Sequence, residues 1–206
     1  MEKIINKSFI PILLIASVLS LVLLTSSNAS AISQPKDSKP GSTLKQRIEQ
    51  RKKERGIKLA EPEQLRLEGS CKISQTNIRD VRDSYVPIAD KRSKAYNQID
   101  AKLWVIIGGL KYMEYDTFDL ERQRSQLLEK INHYEKLYDQ FNESLDDAVN
   151  INCKADVVGF KSLVETARIY NVQIRDQLND INDFTNDNIR QTLAGISEAL
   201  KVRASE

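Results

Sequence analysis

The feature that most constrains this chain is a seven-residue repeat of apolar residues that covers most of its second half. The repeat is clearest over 117–150, where five apolar residues follow one another at intervals of seven: Leu120, Leu127, Tyr134, Phe141 and Ala148. Apolar spacings that alternate between three and four place one stripe along one side of an α-helix. The repeat therefore predicts long amphipathic helices that pack side by side.

The same spacing predicts helices over 72–112, 117–150 and 155–202. Asp116 is a candidate for the start of the second helix, because its carboxylate can accept from the free N–H groups of the first turn. Pro87 predicts a kink within the first helix. In the third helix the apolar stripe moves by one residue after Phe184, to Ile189, Leu193, Ile196 and Leu200, which predicts a local change in winding.

The composition supports an all-α fold. The chain has 206 residues, of which 29% are charged and 6% aromatic, and it contains only 7 glycines and 5 prolines. Sheets would require more turn residues and more β-branched or aromatic runs. We expect three long helices in an antiparallel, coiled-coil-like bundle over 71–203. The formal net charge of +2 is too balanced to favour nucleic acid as a partner.

The first 31 residues predict export. Lys3 and Lys7 form the positively charged n-region of a signal peptide, and an apolar stretch runs from Phe9 to Leu24. The run Ala29-Ser30-Ala31 fits the cleavage site of a signal peptidase. Cleavage would leave Ile32 as the first residue. The alternative is an uncleaved membrane anchor, although the apolar stretch is short for a span. We expect a secreted, periplasmic or cell-surface protein.

Residues 32–70 predict a polar and basic linker with a short helix over 44–55. The apolar face of that helix consists of little more than Leu44 and Ile48, so we expect a solvated, mobile arm. Its basic residues are Lys45, Arg47, Arg51, Lys52, Lys53 and Arg55. The functional alternative is an electrostatic tether to a membrane surface, to a cell-wall polymer or to the acidic body of the protein itself.

The two cysteines predict one disulfide. Cysteines of an exported chain are more often paired than free. Cys71 and Cys153 are equally far from residue 112, which lies in the short connection between the first two predicted helices. In an antiparallel hairpin with that turn the two residues meet at the open end. Their Cα atoms should then lie within about 7 Å of each other.

One segment departs from the heptad pattern. Residues 103–110 are apolar around the whole helix, and Tyr112, Tyr115 and Phe118 follow. Our preferred interpretation is burial of this segment by the end of the third helix. The alternative is a surface that contacts a partner, with Trp104 as its aromatic anchor and Ile107, Tyr112, Tyr115 and Phe118 around it.

The sequence contains no arrangement typical of catalysis or metal binding. His133 is the only histidine, and we expect it at the solvent edge without metal-ligating neighbours. An acidic stripe on the third helix lacks the spacing of a calcium loop and is interpreted as a solvated face. A weaker hypothesis is that this stripe binds the basic arm; its members are Asp176, Asp180, Asp183 and Asp187.

The chain resembles a loose group of small exported helical proteins that are common in reduced-genome, candidate-phylum bacteria. The resemblance covers about 71–190 and rests on the run Glu114–Leu120, the heptads that follow it, Cys153, and Phe160, Leu163 and Ala167-Arg168. This chain departs from the pattern at Pro87 and at Glu114, where glycine is common in the group. The resemblance implies a Cys-flanked helical hairpin with a third helix in a bacterial envelope, and it implies no activity.

The sequence thus predicts a non-catalytic, exported interaction protein without a cofactor, a metal or a small-molecule substrate. It would bind a protein partner, or a second copy of itself, through its helix faces or the hairpin tip. The alternatives are a membrane-anchored coiled-coil spacer and a periplasmic-type holdase chaperone.

Overall fold

The computed structural model describes residues 41–203 and residue 205, and in these residues the fold is all-α, as predicted. The helices are α1 (Leu44–Arg55), α2 (Glu61–Tyr112), α3 (Phe118–Asn150) and α4 (Val157–Asp183). A π-helical segment (Phe184–Ile189) joins α4 to α5 (Arg190–Arg203). The predicted export segment lies outside the described residues, as do residues 32–40 of the linker.

The first long helix begins earlier than the sequence predicted. α2 starts at Glu61, so the boundary placed at residue 71 falls inside a helix. Pro62 lies in the first turn of α2, where the missing N–H of proline is not needed, so this proline starts the helix instead of ending it. The helix also continues through Pro87, where the sequence predicts a kink.

A tight turn joins α2 to α3. Tyr115 N–H donates to the Leu110 carbonyl at 3.0 Å, and Glu114 N–H donates to the Lys111 carbonyl at 3.0 Å. These two bonds are those of a Schellman motif, in which the residue after the helix takes a left-handed conformation. Glu114 occupies that position with a φ of 55°. On the far side of the turn, the Asp116 carboxylate accepts from Phe118 N–H at 3.0 Å, near the predicted start of the second helix.

The main core lies between α2, α3 and α4, with α3 in the middle. The heptad rows of α3 supply most of its fully buried residues, among them Leu120, Leu127 and Ile131. Aromatic rings form a seam between α2 and α3: Tyr96 meets Tyr134 edge-on at 5.7 Å between ring centroids, and Tyr85 lies 5.3 Å from Phe141. The predicted hairpin and the third helix packed on it are therefore confirmed.

The predicted disulfide is present at the open end of the hairpin. Cys71 and Cys153 are bonded, with their Cα atoms 5.8 Å apart. Both residues belong to a second, smaller apolar cluster that also contains Ala148, Ile151 and Phe160. The bond therefore closes the end of the α2–α3 hairpin that is farthest from its turn.

The third predicted helix is interrupted where its apolar stripe moves by one residue. The π-helical segment Phe184–Ile189 lies at that place, and the predicted change in winding is confirmed. A π turn accommodates one additional residue within an α-helix. It thereby brings Ile189 back to the core, where this residue is buried.

Candidate interaction surface at the hairpin turn

The end of the hairpin that carries the turn exposes a group of large apolar side chains. We call this group the tip patch; it consists of Trp104, Val105, Ile106, Tyr112, Met113 and Phe118. Tyr112 is 91% exposed, Phe118 69% and Trp104 59%. Single exposed apolar residues are common on proteins, but a cluster of this kind is typical of a contact surface.

The tip patch arises because only one side of the apolar segment faces the core. Leu103, Ile107 and Leu110 are buried against α3. Trp104 and Val105 lie between these positions in the sequence and therefore point elsewhere around the helix. The preferred interpretation, burial of the whole segment by the third helix, is wrong for these two residues, because they remain 59% and 72% exposed.

The five predicted contact residues divide into three groups. Trp104, Tyr112 and Phe118 are exposed, as a contact surface requires. Tyr115 is partly buried against the core, and the Arg203 guanidinium lies 5.5 Å from its ring centroid. Ile107 is 1% exposed and belongs to the core, so its assignment to the contact surface is wrong.

Trp104 is held in place by its neighbours despite its exposure. The Arg124 guanidinium lies 4.8 Å from the centre of the indole ring, within the range of a cation–π contact. Arg124 is itself fixed by Asp100, with Nε 2.7 Å from Oδ1 and Nη2 3.0 Å from Oδ2. The contact therefore favours this orientation of the ring and lowers the entropy that is lost when a partner binds. Sequence reasoning missed Arg124 in this role.

The charges around the tip patch nearly cancel. Residues 100–124 contain four basic and five acidic side chains: Lys102, Lys111, Arg122 and Arg124, and Asp100, Glu114, Asp116, Asp119 and Glu121. Attachment to an anionic lipid surface relies on an excess of Lys and Arg. The composition of the tip favours an apolar surface of another protein.

The predicted basic arm is not solvated in its helical part. α1 packs beside α4, and its Ile48 is buried in the cluster around the disulfide. The prediction of a mobile arm is therefore wrong for residues 44–55. A capping box at Thr43 and Gln46 begins the helix, and Gly56 ends it at a φ of 57°. Gly159 of α4 permits the close approach, because a Cβ there would lie 2.8 Å from Cγ2 of Ile48.

Ion pairs attach α1 to the bundle. Arg47 binds Asp147 of α3 through both carboxylate oxygens, from Nε at 2.7 Å and from Nη2 at 2.5 Å. Burial raises the pKa of the Asp147 carboxyl, and the Arg47 hydrogen bond opposes that rise. Lys52 lies 3.3 Å from the Asp156 carboxylate just before α4.

The other basic residues of α1 differ in exposure. Arg51 is 2% exposed, pairs with Glu54 at 2.9 Å and lies over the Tyr170 ring. Burial lowers the pKa of the Arg55 guanidinium, which is partly buried. Lys45 and Lys53 are exposed.

The acidic stripe of α4 and the π-helical segment does not bind α1, the described helical part of the arm. Asp176, Asp180, Asp183 and Asp187 are exposed, as predicted for a solvated face. Asp180 pairs with Lys130 of α3 at 2.6 Å. α1 binds Asp147 and Asp156 instead, so the hypothesis that the stripe holds the arm is wrong for residues 44–55.

The described residues present no arrangement for metal chemistry. His133 is exposed, and no group of three or more His, Cys, Asp or Glu side chains within 41–203 is placed to hold a metal ion. Over the same range, no helix combines the length and the apolar character needed to span a membrane.

Comparisons with protein-family models, with curated proteins and with solved structures find no match.

Proposed function

We propose that this protein is a non-catalytic, exported interaction protein that binds a protein partner through the tip patch. The observation that carries the proposal is the state of Trp104, which is more than half exposed and yet fixed by Arg124. Exposed, preorganised tryptophans with an arginine beside them are typical of the residues that dominate binding energy at protein interfaces.

Two further features support the binding of a protein partner at the tip. The near balance of charge around the tip favours a protein surface as partner over an anionic lipid surface. The partly buried ion pairs of α1 and the disulfide hold the opposite end of the hairpin together. The chain thus combines a rigid helical body with an apolar end, an arrangement that suits presentation of a contact surface in the bacterial envelope or outside the cell.

Chemical crosslinking at the native cell surface, followed by purification of the protein and identification of what is attached, tests this proposal. Three forms are compared: wild type, Trp104→Ala, and Val172→Ala as a matched control. Val172 is an apolar residue of α4 that is 47% exposed and lies outside the tip patch.

A partner that is recovered with wild type and with Val172→Ala, but is lost or strongly depleted with Trp104→Ala, is the expected result. Arg124→Met should give an intermediate loss, because the indole stays exposed while its orientation is no longer fixed. Equal recovery from all of these forms would contradict the proposal.

A further inference from the structure

Helix α1 lies across the loop that joins α3 to α4 and carries Cys153. Arg47 of α1 binds Asp147 near the end of α3, and Lys52 of α1 lies 3.3 Å from Asp156, the N-cap residue of α4. Cys153 stands between these two aspartates in the sequence. The two ion pairs therefore attach α1 on both sides of the loop, and we call α1 the strap.

The disulfide is enclosed beneath the strap. Cys71 is 3% exposed and Cys153 1%. Both residues belong to the apolar cluster that also contains Ile48 of α1, and Leu44 of α1 packs against the same cluster. Thiol–disulfide exchange requires that an attacking thiolate reaches one of the two sulfurs. The helices and the docked strap together keep a thiol reagent away from this bond.

The strap is attached mainly through polar groups. Of its twelve residues, only Ile48 and Arg51 are buried. Arg55 opposes docking, because its Nε and Nη2 are enclosed and hydrogen-bond to no described residue. Buried donors without an acceptor are unfavourable. Since segments with few buried apolar contacts open most readily, α1 should open before the bundle does.

A hinge separates the strap from α2. Residues 56–60 lie between the two helices, and Gly56 has a φ of 57°. Beyond the hinge, Glu63 of α2 lies 2.6 Å from Lys161 of α4, so α2 keeps its own attachment when α1 leaves. A detached helix of twelve residues is marginal in water. Opening of the strap should therefore expose its backbone N–H groups to hydrogen exchange.

We propose that α1 opens as a unit while the bundle stays folded, and that this opening controls reduction of the Cys71–Cys153 bond by dithiols. A thiolate of the dithiol attacks one cysteine sulfur and forms a mixed disulfide, and the other cysteine leaves and takes up a proton. The second thiol of the reagent then closes a ring and releases the first cysteine. The dithiol ends as a cyclic disulfide, and the cysteines have gained two electrons and two protons.

The strap thus makes the clamp at the open end of the hairpin depend on ion pairs. While Arg47 and Lys52 hold their aspartates, the bond resists reduction. When these contacts are released, a dithiol can open the clamp and free the ends of α2 and α3. This device lies at the opposite end of the hairpin from the tip patch and does not depend on the proposed function.

Two measurements on the oxidised protein as the cell produces it test the proposal. Amide hydrogen exchange within Leu44–Arg55 reports the opening of α1. Alkylation of the freed thiols, followed by mass spectrometry, reports the rate of reduction by dithiothreitol. The two rates should change by the same factor in each variant, because both follow the equilibrium between docked and open α1.

Two substitutions weaken the strap to different degrees. Arg47→Met removes the more buried ion pair and should raise both rates at least about tenfold. Lys52→Met removes the more exposed pair and should raise both rates about two- to fivefold. Exchange of the α3 amides should stay at the wild-type rate in both variants, because the bundle remains folded.

Arg82→Met is the matched control. Arg82 binds Asp146, the sequence neighbour of Asp147, but it belongs to α2 and not to the strap. Its loss removes an ion pair of the same kind at the same end of the hairpin. It should leave both rates unchanged.

Two results would overturn the proposal. Reduction at the wild-type rate in a variant whose α1 exchanges faster would show that the strap does not control the bond. Exchange of the α1 and α3 amides at one common rate in wild type would show that α1 opens only with the whole bundle. Lys52→Met and this wild-type comparison keep the test decisive if Arg47→Met does not fold.

Discussion

At the scale of single residues, the turn contains a side chain in a conformation that suits glycine. Glu114 has a φ of 55°, which lies in the left-handed region that glycine adopts most readily. The Schellman bonds around it require the left-handed conformation, which places the Cβ of other residues close to the following carbonyl oxygen. The backbone at this position therefore favours glycine over other residues.

Glu114→Gly should stabilise the protein by about 0.5–1 kcal/mol, because it relieves this conformation at a position that glycine adopts readily. Urea denaturation measures the change. Glu114→Ala serves as the control, since it removes the same side chain but keeps the Cβ, and it should give little or no gain. Equal effects of the two substitutions would show that the side chain and not the backbone is responsible.

The free energy of unfolding should depend on alkaline pH because of Tyr134. Burial raises the pKa of its phenol from 10.0 to about 12. Between these two values the unfolded chain loses its proton while the folded chain keeps it, so the free energy of unfolding should fall as pH rises from 10 to 12. The loss is on the order of 2 kcal/mol. Denaturant titrations at several alkaline pH values measure it.

Tyr134→Phe should weaken this pH dependence, because it removes the group that titrates. Burial also raises the pKa of Tyr96 and of Tyr138, so part of the slope should remain. Tyr112→Phe is the matched control at a residue that is 91% exposed, and it should leave the slope unchanged. A full wild-type slope in Tyr134→Phe would contradict the assignment.

At the scale of elements, the sequence predicted the long helices but not the packing of α1. The heptads of α3 identified its limits to within one residue, because a seven-residue repeat reports directly which side of a helix is buried. α1 has too few apolar residues to give such a signal. Its position depends on the Arg47–Asp147 pair and on the space beside Gly159, and both involve residues that are far apart in the sequence.

Gly159→Ala tests the packing of α1 on α4. The added Cβ would lie 2.6 Å from Oδ2 of Asp156 and 2.8 Å from Cγ2 of Ile48, so α1 or the N-terminal cap of α4 has to move. We expect a loss of about 1–3 kcal/mol of stability. Faster amide hydrogen exchange within Leu44–Arg55 would show that α1 is the element affected.

Gly195→Ala is the matched control for that substitution. Gly195 is also helical, but a Cβ there would meet nothing within 4 Å. The control should therefore gain about 1 kcal/mol from the better helix propensity of alanine. Similar effects at both glycines would contradict the idea that Gly159 provides space for α1.

Deletion of Asn186 tests the π-helical segment. Removing one residue there should convert the segment to α-helix and keep both halves of the apolar stripe facing the core, so stability should stay equal or rise. Deletion of Asp176 within α4 is the control. It rotates the residues that follow by about 100° and should cost at least about 3 kcal/mol, because Ile181 leaves the core. The Tm values of the two deletion variants, measured by thermal unfolding, distinguish these outcomes.

At the scale of the whole molecule, the sequence predicted the hairpin because its two cysteines are equally far from the turn. The exposure of the tip could not be predicted in the same way. A run of apolar residues shows that a segment avoids water on average. Which side of the helix remains uncovered depends on how the other helices pack against it, and the run does not encode that packing.

Cys71→Ala/Cys153→Ala should lower the free energy of unfolding by up to about 4–5 kcal/mol. The bond joins residues separated by 82 positions, and its removal gives the unfolded chain back the entropy of that loop. Chemical denaturation of the oxidised protein and of the variant measures the difference. An unchanged free energy of unfolding would contradict a structural role for the bond.

The disulfide has a further consequence for the choice among helix alignments. A seven-residue repeat looks the same after a shift of seven positions, so the apolar contacts of α2 and α3 discriminate only weakly against a hairpin that has slipped by one repeat. Such a slip moves one helix past the other by about 10 Å. The thiols of Cys71 and Cys153 would then be too far apart to bond. Oxidation thus selects the single alignment that brings the two cysteines together, and a chain trapped in a slipped alignment would be recognised by its free thiols.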